Sequence, residues 1–330
     1  MRAHLYHQYG SPSVLKLEDC PKPVPAANEV LIKVHAVSIN PYDWHFLRGE
    51  PYLLRFMAGL RQPKDPRLGA DLSGEVEAVG SNVTQFKPGD AIFGVGKGAF
   101  AEFACAQESQ IARKPTNISF EQAAAVPIAG LTALQALRKA GLHQANVATT
   151  SQPKILINGA AGGVGTFSAQ IAKAFGANIT AVCSTRNVEM VRSLGADRMI
   201  DYTREDFTTS NQRFDIILDN VGNRSLLACR RLLVPRGFYV GAGGSAGRWM
   251  VGTIARAIIS LTLSAFGGRK FLGIFAKSTT DDLTILHNLM QSGKVTPVID
   301  RRYAFSELPQ AIAYLEEGHA RGKVVINVGT

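Results

Sequence analysis

Residues 155–165 read Ile-Leu-Ile-Asn-Gly-Ala-Ala-Gly-Gly-Val-Gly, an apolar run that passes directly into a glycine loop, and an amphipathic stretch from Thr166 to Phe175 follows. Strand, glycine loop and helix in that order turn successive backbone amides and a helix start toward one anionic group, the usual way of holding a dinucleotide pyrophosphate. Gly159, Gly162 and Gly165 allow the tight turn and the close approach of backbone to ligand or to a neighbouring helix. The stretch predicts a nucleotide-binding half without yet specifying a reaction.

Downstream, the pattern continues. Asn178–Cys183 reads as a second strand, Val188–Leu194 as helix, Arg198–Ile200 and Phe214–Asp219 as strands, Leu226–Leu233 as helix and Gly237–Gly241 as a further strand. Strands and helices alternating at this spacing point to a doubly wound, mainly parallel sheet. Upstream, Glu121–Val126 and Thr132–Lys139 have helical composition, punctuated by Pro127 and Gly130. Before residue 125 the texture changes. Short apolar alternations at Val30–Val37, Ser73–Val79, Ala91–Val95 and Phe100–Ala104, broken by turns such as Lys87-Pro88-Gly89-Asp90, predict a small, mostly β domain. Gly49–Arg67, rich in proline, glycine and charge, reads as a loop beside a binding cleft. After the strand candidate Phe271–Phe275, the helical Asp281–Met290 and the tail Lys323–Val328 look like a return to the first domain. The expected division is therefore 1–125 with 274–330 for the mostly β domain and 126–273 for the nucleotide-binding domain.

Composition narrows the function classes. Four well-separated cysteines, Cys20, Cys105, Cys183 and Cys229, form no CxxC pair, which argues against a disulfide scaffold or a structural zinc knuckle. A formal charge of +10 comes without a lysine–arginine tract or an aromatic–basic repeat, so no specific nucleic-acid partner is expected. That charge suits a basic solvated face and the steering of a polyanionic cofactor. The start, Met1-Arg2-Ala3-His4-Leu5-Tyr6, has no apolar leader, and a cytoplasmic location is the expectation. Trp249–Phe266 is strongly apolar but interrupted by Arg256, and a spanning helix needs about 20 predominantly apolar residues. Three uses suit it: an interface or buried helix, a hydrophobic entrance, or a shallow peripheral contact with a membrane.

Ser184-Thr185-Arg186-Asn187 follows the second strand, where a dinucleotide fold approaches the adenosine ribose. An acidic residue there favours the free ribose hydroxyls. Here Ser184, Thr185 and the guanidinium fork of Arg186 match a 2′-phosphate, which predicts NADPH over NADH.

Asn40-Pro41-Tyr42-Asp43, the Gly69–Gly80 segment with Asp71 and Gly74, the glycine loop, Asp201-Tyr202-Thr203-Arg204-Glu205-Asp206 and Gly322-Lys323-Val324-Val325 together resemble the medium-chain dehydrogenase/reductase superfamily. The likeness covers essentially the whole chain. It is strongest to the zinc-independent quinone oxidoreductase-like branch, near bacterial relatives of the reticulon-interacting and chloroplast-envelope proteins. The resemblance implies an α/β chain in which a GroES-like, mostly β catalytic domain is split by a Rossmann domain with a doubly wound parallel sheet, and often a homodimer. Zinc-dependent relatives carry a Cys near the position of Asn40 and a His-Glu pair near Ala70-Asp71. This chain has neither that Cys nor that His, and no metal is expected. The implied reaction is hydride transfer from NADP(H) to a quinone or an α,β-unsaturated carbonyl. An NADPH-dependent carbonyl or alcohol oxidoreductase and a non-enzymatic, nucleotide-gated redox sensor or scaffold are the rival readings. Asn40, Tyr42 and Asp43 are the catalytic candidates that the resemblance implies. For the cofactor, Gly162, Gly163, Val164 and Gly165 would take the pyrophosphate, and Ser184, Thr185, Arg186 and Tyr202 the adenosine end. Asn220 and Val221 would pass the nicotinamide ribose, while Phe275, Thr132 and Lys323 would meet the carboxamide, a phosphate, and a phosphate or ribose respectively.

Overall fold

The computed structural model describes residues 1–143, 152–243, 251–265 and 268–329, excepting the side chains of 251–254. The chain divides into two compact units, Met1–Leu131 with Lys277–Thr330, and Thr132–Ala276. The division falls six residues after the expected 125/126 boundary and three after 273/274. The first boundary lies inside a single helix, Pro127–Lys139. Pro127 separates it from the preceding helix, Phe120–Ala124, as expected, but Gly130 does not interrupt it. Proline is accepted at a helix start, where its missing N–H had no partner to lose. Gly130 sits inside the helix, where an added Cβ would lie 3.1 Å from Leu286.

The first unit carries a sheet of seven strands among the described residues. Its path runs Ile299–Ala304, Lys323–Asn327, Glu29–Ile39, Asp71–Val79, Ala91–Val95 and Ile111–Arg113, and Phe103–Gln107 pairs Glu29–Ile39 off that path. All pairings are antiparallel except that of Ile299–Ala304 with Lys323–Asn327. The C-terminal tail therefore pairs with the longest N-terminal strand, Val324 opposite Ile39. A short helix, Pro41–Arg48, follows the longest strand, and a second, Leu54–Ala58, interrupts the expected loop Gly49–Arg67. The core packs Ile32, Ile39, Leu72, Ile92 and Ile326 from these strands, with Phe100 from the loop before Phe103–Gln107.

The second unit carries, among the described residues, a parallel sheet of six strands in the order Arg198–Asp201, Asn178–Cys183, Lys154–Asn158, Phe214–Asp219, Leu233–Gly241, Lys270–Gly273. Numbered within the unit this is 3-2-1-4-5-6. The order reverses between Lys154–Asn158 and Phe214–Asp219, the switch point outside which such sheets bind their ligands. Ile155–Ile157 and Ile216–Leu218 are buried at every position, as strands covered on both faces must be. The final strand ends at Gly273, two residues before Phe275, which is 94 % exposed rather than paired in the sheet. Helix Val251–Ala265 precedes it. The ends of the apolar run, 249, 250 and 266, lie outside the described residues. No described helix is long and apolar enough to cross a membrane.

Candidate functional site

In the second unit the glycine loop leaves Asn158 and enters helix Gly163–Ala174, with Gly162 as its extended N-cap. Gly159 has φ +77°, the left-handed region that glycine alone enters freely. A Cβ on Gly165 would lie 2.1 Å from the Gly159 carbonyl oxygen, so only glycine lets the helix approach the loop this closely. The first amides of a helix have no intrahelical acceptor. Gly163, Val164 and Gly165 supply them here, beside the switch point.

At the end of the next strand, Ser184 accepts from Asn187 Nδ2 at 3.1 Å, and Thr185–Asn187 forms one 3₁₀ turn that leaves Arg186 exposed. Tyr202 is about half exposed, its N–H donating to Cys183 O at 3.1 Å. Asp201, from the neighbouring strand, brings a charge that sequence reasoning overlooked. It accepts from the Thr185 hydroxyl and from both N–H (3.0 Å) and hydroxyl (2.7 Å) of Thr203. These bonds, that of Thr185 first, hold its carboxyl below the usual range.

Across the switch, Asn158 and Asp219 are direct register partners. Asp219 is fully buried, and its Oδ1 accepts from Asn158 Nδ2 (2.8 Å), Val221 N (3.1 Å) and Gly222 N (2.8 Å). The Tyr239 hydroxyl donates to Oδ2 at 2.6 Å, and burial first, then the Asp219 charge, pushes the Tyr239 pKa up. Asn220, next along, has both amide atoms buried without a partner. An unpaired buried amide is costly, and a ligand's ribose or amide groups are of the kind that satisfies it. Of the remaining cofactor candidates in this unit, Thr132 is buried in helix Pro127–Lys139 and Phe275 projects into solvent.

In the first unit Asn40 caps helix Pro41–Arg48, and its N–H donates to Asp43 Oδ2 at 2.8 Å. The Asn40 side chain points elsewhere. Its Nδ2 donates to Asp71 Oδ2 at 2.8 Å and its Oδ1 accepts from Lys323 Nζ. Asp71 also accepts from Ser38 Oγ (2.9 Å) and Ile128 N (2.9 Å), and pairs with Lys323 at 3.4 Å. Lys323 is 4 % exposed and donates further to Ile39 O at 3.1 Å. The amine expected to reach a phosphate or ribose is thus turned into a buried cluster of its own unit. Burial lowers its pKa despite the Asp71 charge. Asp43 lies completely buried with Oδ1 unpartnered; burial, with the Asp71 charge adding to it, raises its carboxyl to about 7. Tyr42 is about half exposed, tilted over Phe46.

The donor set here does not fit zinc. The described residues contain no group of three His, Cys, Asp or Glu able to hold a metal. Both oxygens of Asp71 are engaged, with Lys323 as its cation.

Residues 26–116 match the alcohol dehydrogenase GroES-like domain family, and 194–326 the zinc-binding dehydrogenase family. The chain is 35 % identical to the mitochondrial NAD(P)H oxidoreductase RTN4IP1 of Bos taurus, over 99 % of this chain and 89 % of that one. Among solved structures it is similar to the quinone oxidoreductase of Coxiella burnetii (33 % identity, 99 % of each chain, TM-score 0.85). It is also similar to the Escherichia coli quinone oxidoreductase complexed with NADPH (26 % identity, 99 % of this chain and 100 % of that one, TM-score 0.81). The chain belongs to the medium-chain dehydrogenase/reductase superfamily, in its quinone oxidoreductase-like branch. Its first unit is the GroES-like domain and its second the Rossmann domain, as the sequence resemblance implies, and the protein is an oxidoreductase.

Proposed function

We propose that this chain is a zinc-independent, NADPH-dependent reductase that delivers hydride to quinones or α,β-unsaturated carbonyls. One observation carries the reading: at the switch point the Gly163–Gly165 amides, the exposed Arg186 turn and the orphaned amide of Asn220 lie along the C-terminal ends of the same parallel sheet. That sequence of groups suits a pyrophosphate, a 2′-phosphate and a nicotinamide ribose. The relatives named for NAD(P)H and quinone support it. When bound, the reduced nicotinamide supplies the hydride. The helix start neutralises the pyrophosphate, Arg186 pairs the 2′-phosphate and Asn220 fixes the ribose. Negative charge developing on the acceptor's carbonyl oxygen needs a donor. Among the three catalytic candidates we assign that position to the Tyr42 hydroxyl, because Tyr42 alone of them reaches the surface. Asn40 and Asp43 hold the start of its helix. Lys323 supplies the positive charge beside Asp71, where a zinc donor set is lacking.

Metal-stripped protein, mixed anaerobically with NADPH and a 2-alkenal, a linear enone, a quinone or a simple ketone, tests this by loss of NADPH absorbance and product mass. Saturated carbonyl or quinol products support the proposal. An alcohol from the ketone alone would transfer it to carbonyl reduction, and a strict zinc requirement would end the metal-free part. Tight NADPH binding with no turnover on any acceptor would favour a sensor or scaffold. Gly165→Ala, which drives a Cβ against the Gly159 carbonyl, should weaken NADPH binding by about tenfold to a hundredfold.

A further inference from the structure

We propose that Arg256 is a positioning residue for the nicotinamide half of the cofactor, acting through the turn that runs from Asn220 to Arg224; the inference rests on the nucleotide-binding reading above. Helix Val251–Ala265 is longer and more apolar than a crossover between two strands requires, and it exposes Ile258, Ile259 and Leu261. Arg256 is the charged residue in it, and its guanidinium is directed inward to the switch-point turn. Nη1 donates to Gly222 O at 3.1 Å and to Arg224 O at 2.9 Å. Nη2 donates to the Tyr239 hydroxyl at 2.6 Å and stands 3.5 Å from Asp219 Oδ2.

The turn is therefore gripped by two sets of groups. The buried Asp219 carboxylate takes its N–H groups, at Val221 and Gly222, and the guanidinium takes its carbonyls, at Gly222 and Arg224. Tyr239 joins the two grips through one hydroxyl, accepting from Arg256 and donating to Asp219. Asp219 does not depend on Arg256 for its own satisfaction. Without the guanidinium it retains Asn158 Nδ2, two backbone amides and the Tyr239 hydroxyl. What Arg256 adds is a hold on carbonyls that a carboxylate cannot bind. Between those grips sits Asn220, whose two amide atoms are buried and unpartnered, and whose carbonyl would lie 2.1 Å from a Cβ on Gly243. Reacting groups tolerate little misplacement, on the order of one ångström, so a turn held on both sides is a means of fixing where the ribose and nicotinamide rest. The planar fork of arginine is suited to two carbonyls and a hydroxyl together in a way that lysine is not.

The test titrates the full chain with NADPH and with its adenosine fragment 2′,5′-ADP, for wild type, Arg256→Gln, Arg256→Lys and Tyr239→Phe, with melting curves alongside. Arg256→Gln should weaken NADPH about tenfold and leave 2′,5′-ADP within about twofold, because only the nicotinamide half meets the turn. Arg256→Lys should recover part of the loss, and Tyr239→Phe should weaken NADPH in the same direction. Unchanged NADPH affinity in Arg256→Gln overturns the proposal. Equal weakening of both nucleotides also overturns it, making Arg256 a general prop of the fold. Wild-type protein that bound neither nucleotide would defeat the nucleotide-binding reading itself, and with it the need for any positioning.

Discussion

Each unit buries one carboxylate completely at the end of a strand, and each neutralises it differently. Asp71 opens Asp71–Val79 in the GroES-like unit, and Asp219 closes Phe214–Asp219 in the Rossmann unit. The cation beside Asp71 is Lys323, itself 4 % exposed and enclosed by Asn40, Ile39 and Asp71. The cation beside Asp219 is Arg256, whose side chain remains 30 % exposed on a surface helix. Removing one member of a fully buried ion pair leaves an uncompensated charge and costs about 3–5 kcal/mol. An ion pair exposed at both members is worth only about 0–1 kcal/mol, and the Arg256–Asp219 pair, with one partner 30 % exposed and the other fully buried, falls between these limits. The first cluster is therefore bound up with folding, whereas loss of the Arg256 guanidinium leaves Asp219 its four hydrogen bonds, so the second cluster can serve the placement of a ligand with less consequence for folding.

The contrast is most directly broken by Lys323→Met. We expect it to lower unfolding free energy by about 3–5 kcal/mol, against a smaller loss of about 1–2 kcal/mol for Arg256→Gln, which leaves Asp219 its hydrogen bonds, both read by chemical denaturation. Equal losses would erase the distinction. Next in size is the pH dependence of Asp43. Its carboxyl is held near 7 in the folded chain, well above its ordinary range, so the folded state binds this proton more tightly than the unfolded state does. The stability it confers is complete below about pH 4 and is lost as pH rises through about 7. Asp43→Asn should accordingly shrink the stability difference between pH 5 and pH 8 by about 2 kcal/mol or more; identical pH profiles for the two proteins would refute the raised carboxyl. The smallest effect separates the two ends of the cofactor site. Arg186→Ala should cut the preference for NADPH over NADH about tenfold, while Asp201→Asn, removing the negative charge beside Thr185, should raise it severalfold. An unaltered preference in both would remove the adenosine end from specificity.

Much of the Rossmann unit is legible from periodicity. Asn178–Cys183 and Phe214–Asp219 are recovered with the same ends, because strands buried on both faces read as near-continuous apolar runs, broken here by Thr180 and Asp215 alone within them. Phe100–Ala104 is less accurate, the strand being Phe103–Gln107, since alternation in a half-buried strand slides easily by a few residues. Asn158 and Asp219 do carry a signal in the sequence, each a polar residue closing a buried apolar run at the switch point. Ser38, Tyr239 and Arg256 carried no such signal, as a serine or tyrosine in a strand and an arginine in an apolar helix each have many ordinary uses. The assignment of Lys323 toward a phosphate met a different difficulty, because burial of an amine depends on which distant residues enclose it.

By itself the sequence determined that a glycine loop joins an apolar strand to a helix in an alternating α/β chain, since covalent order and residue size alone dictate those local conformations. It also excluded the Cys and His that would mark the metal position of zinc-dependent relatives. Only the tertiary structure decided which buried charge meets which. Asn40 and Lys323 are 283 positions apart, yet they share one hydrogen bond. Asn158 and Asp219 become neighbours because two parallel strands pair at the switch point. Such pairings are set by sheet register and chain return, long-range properties that no local window of residues contains.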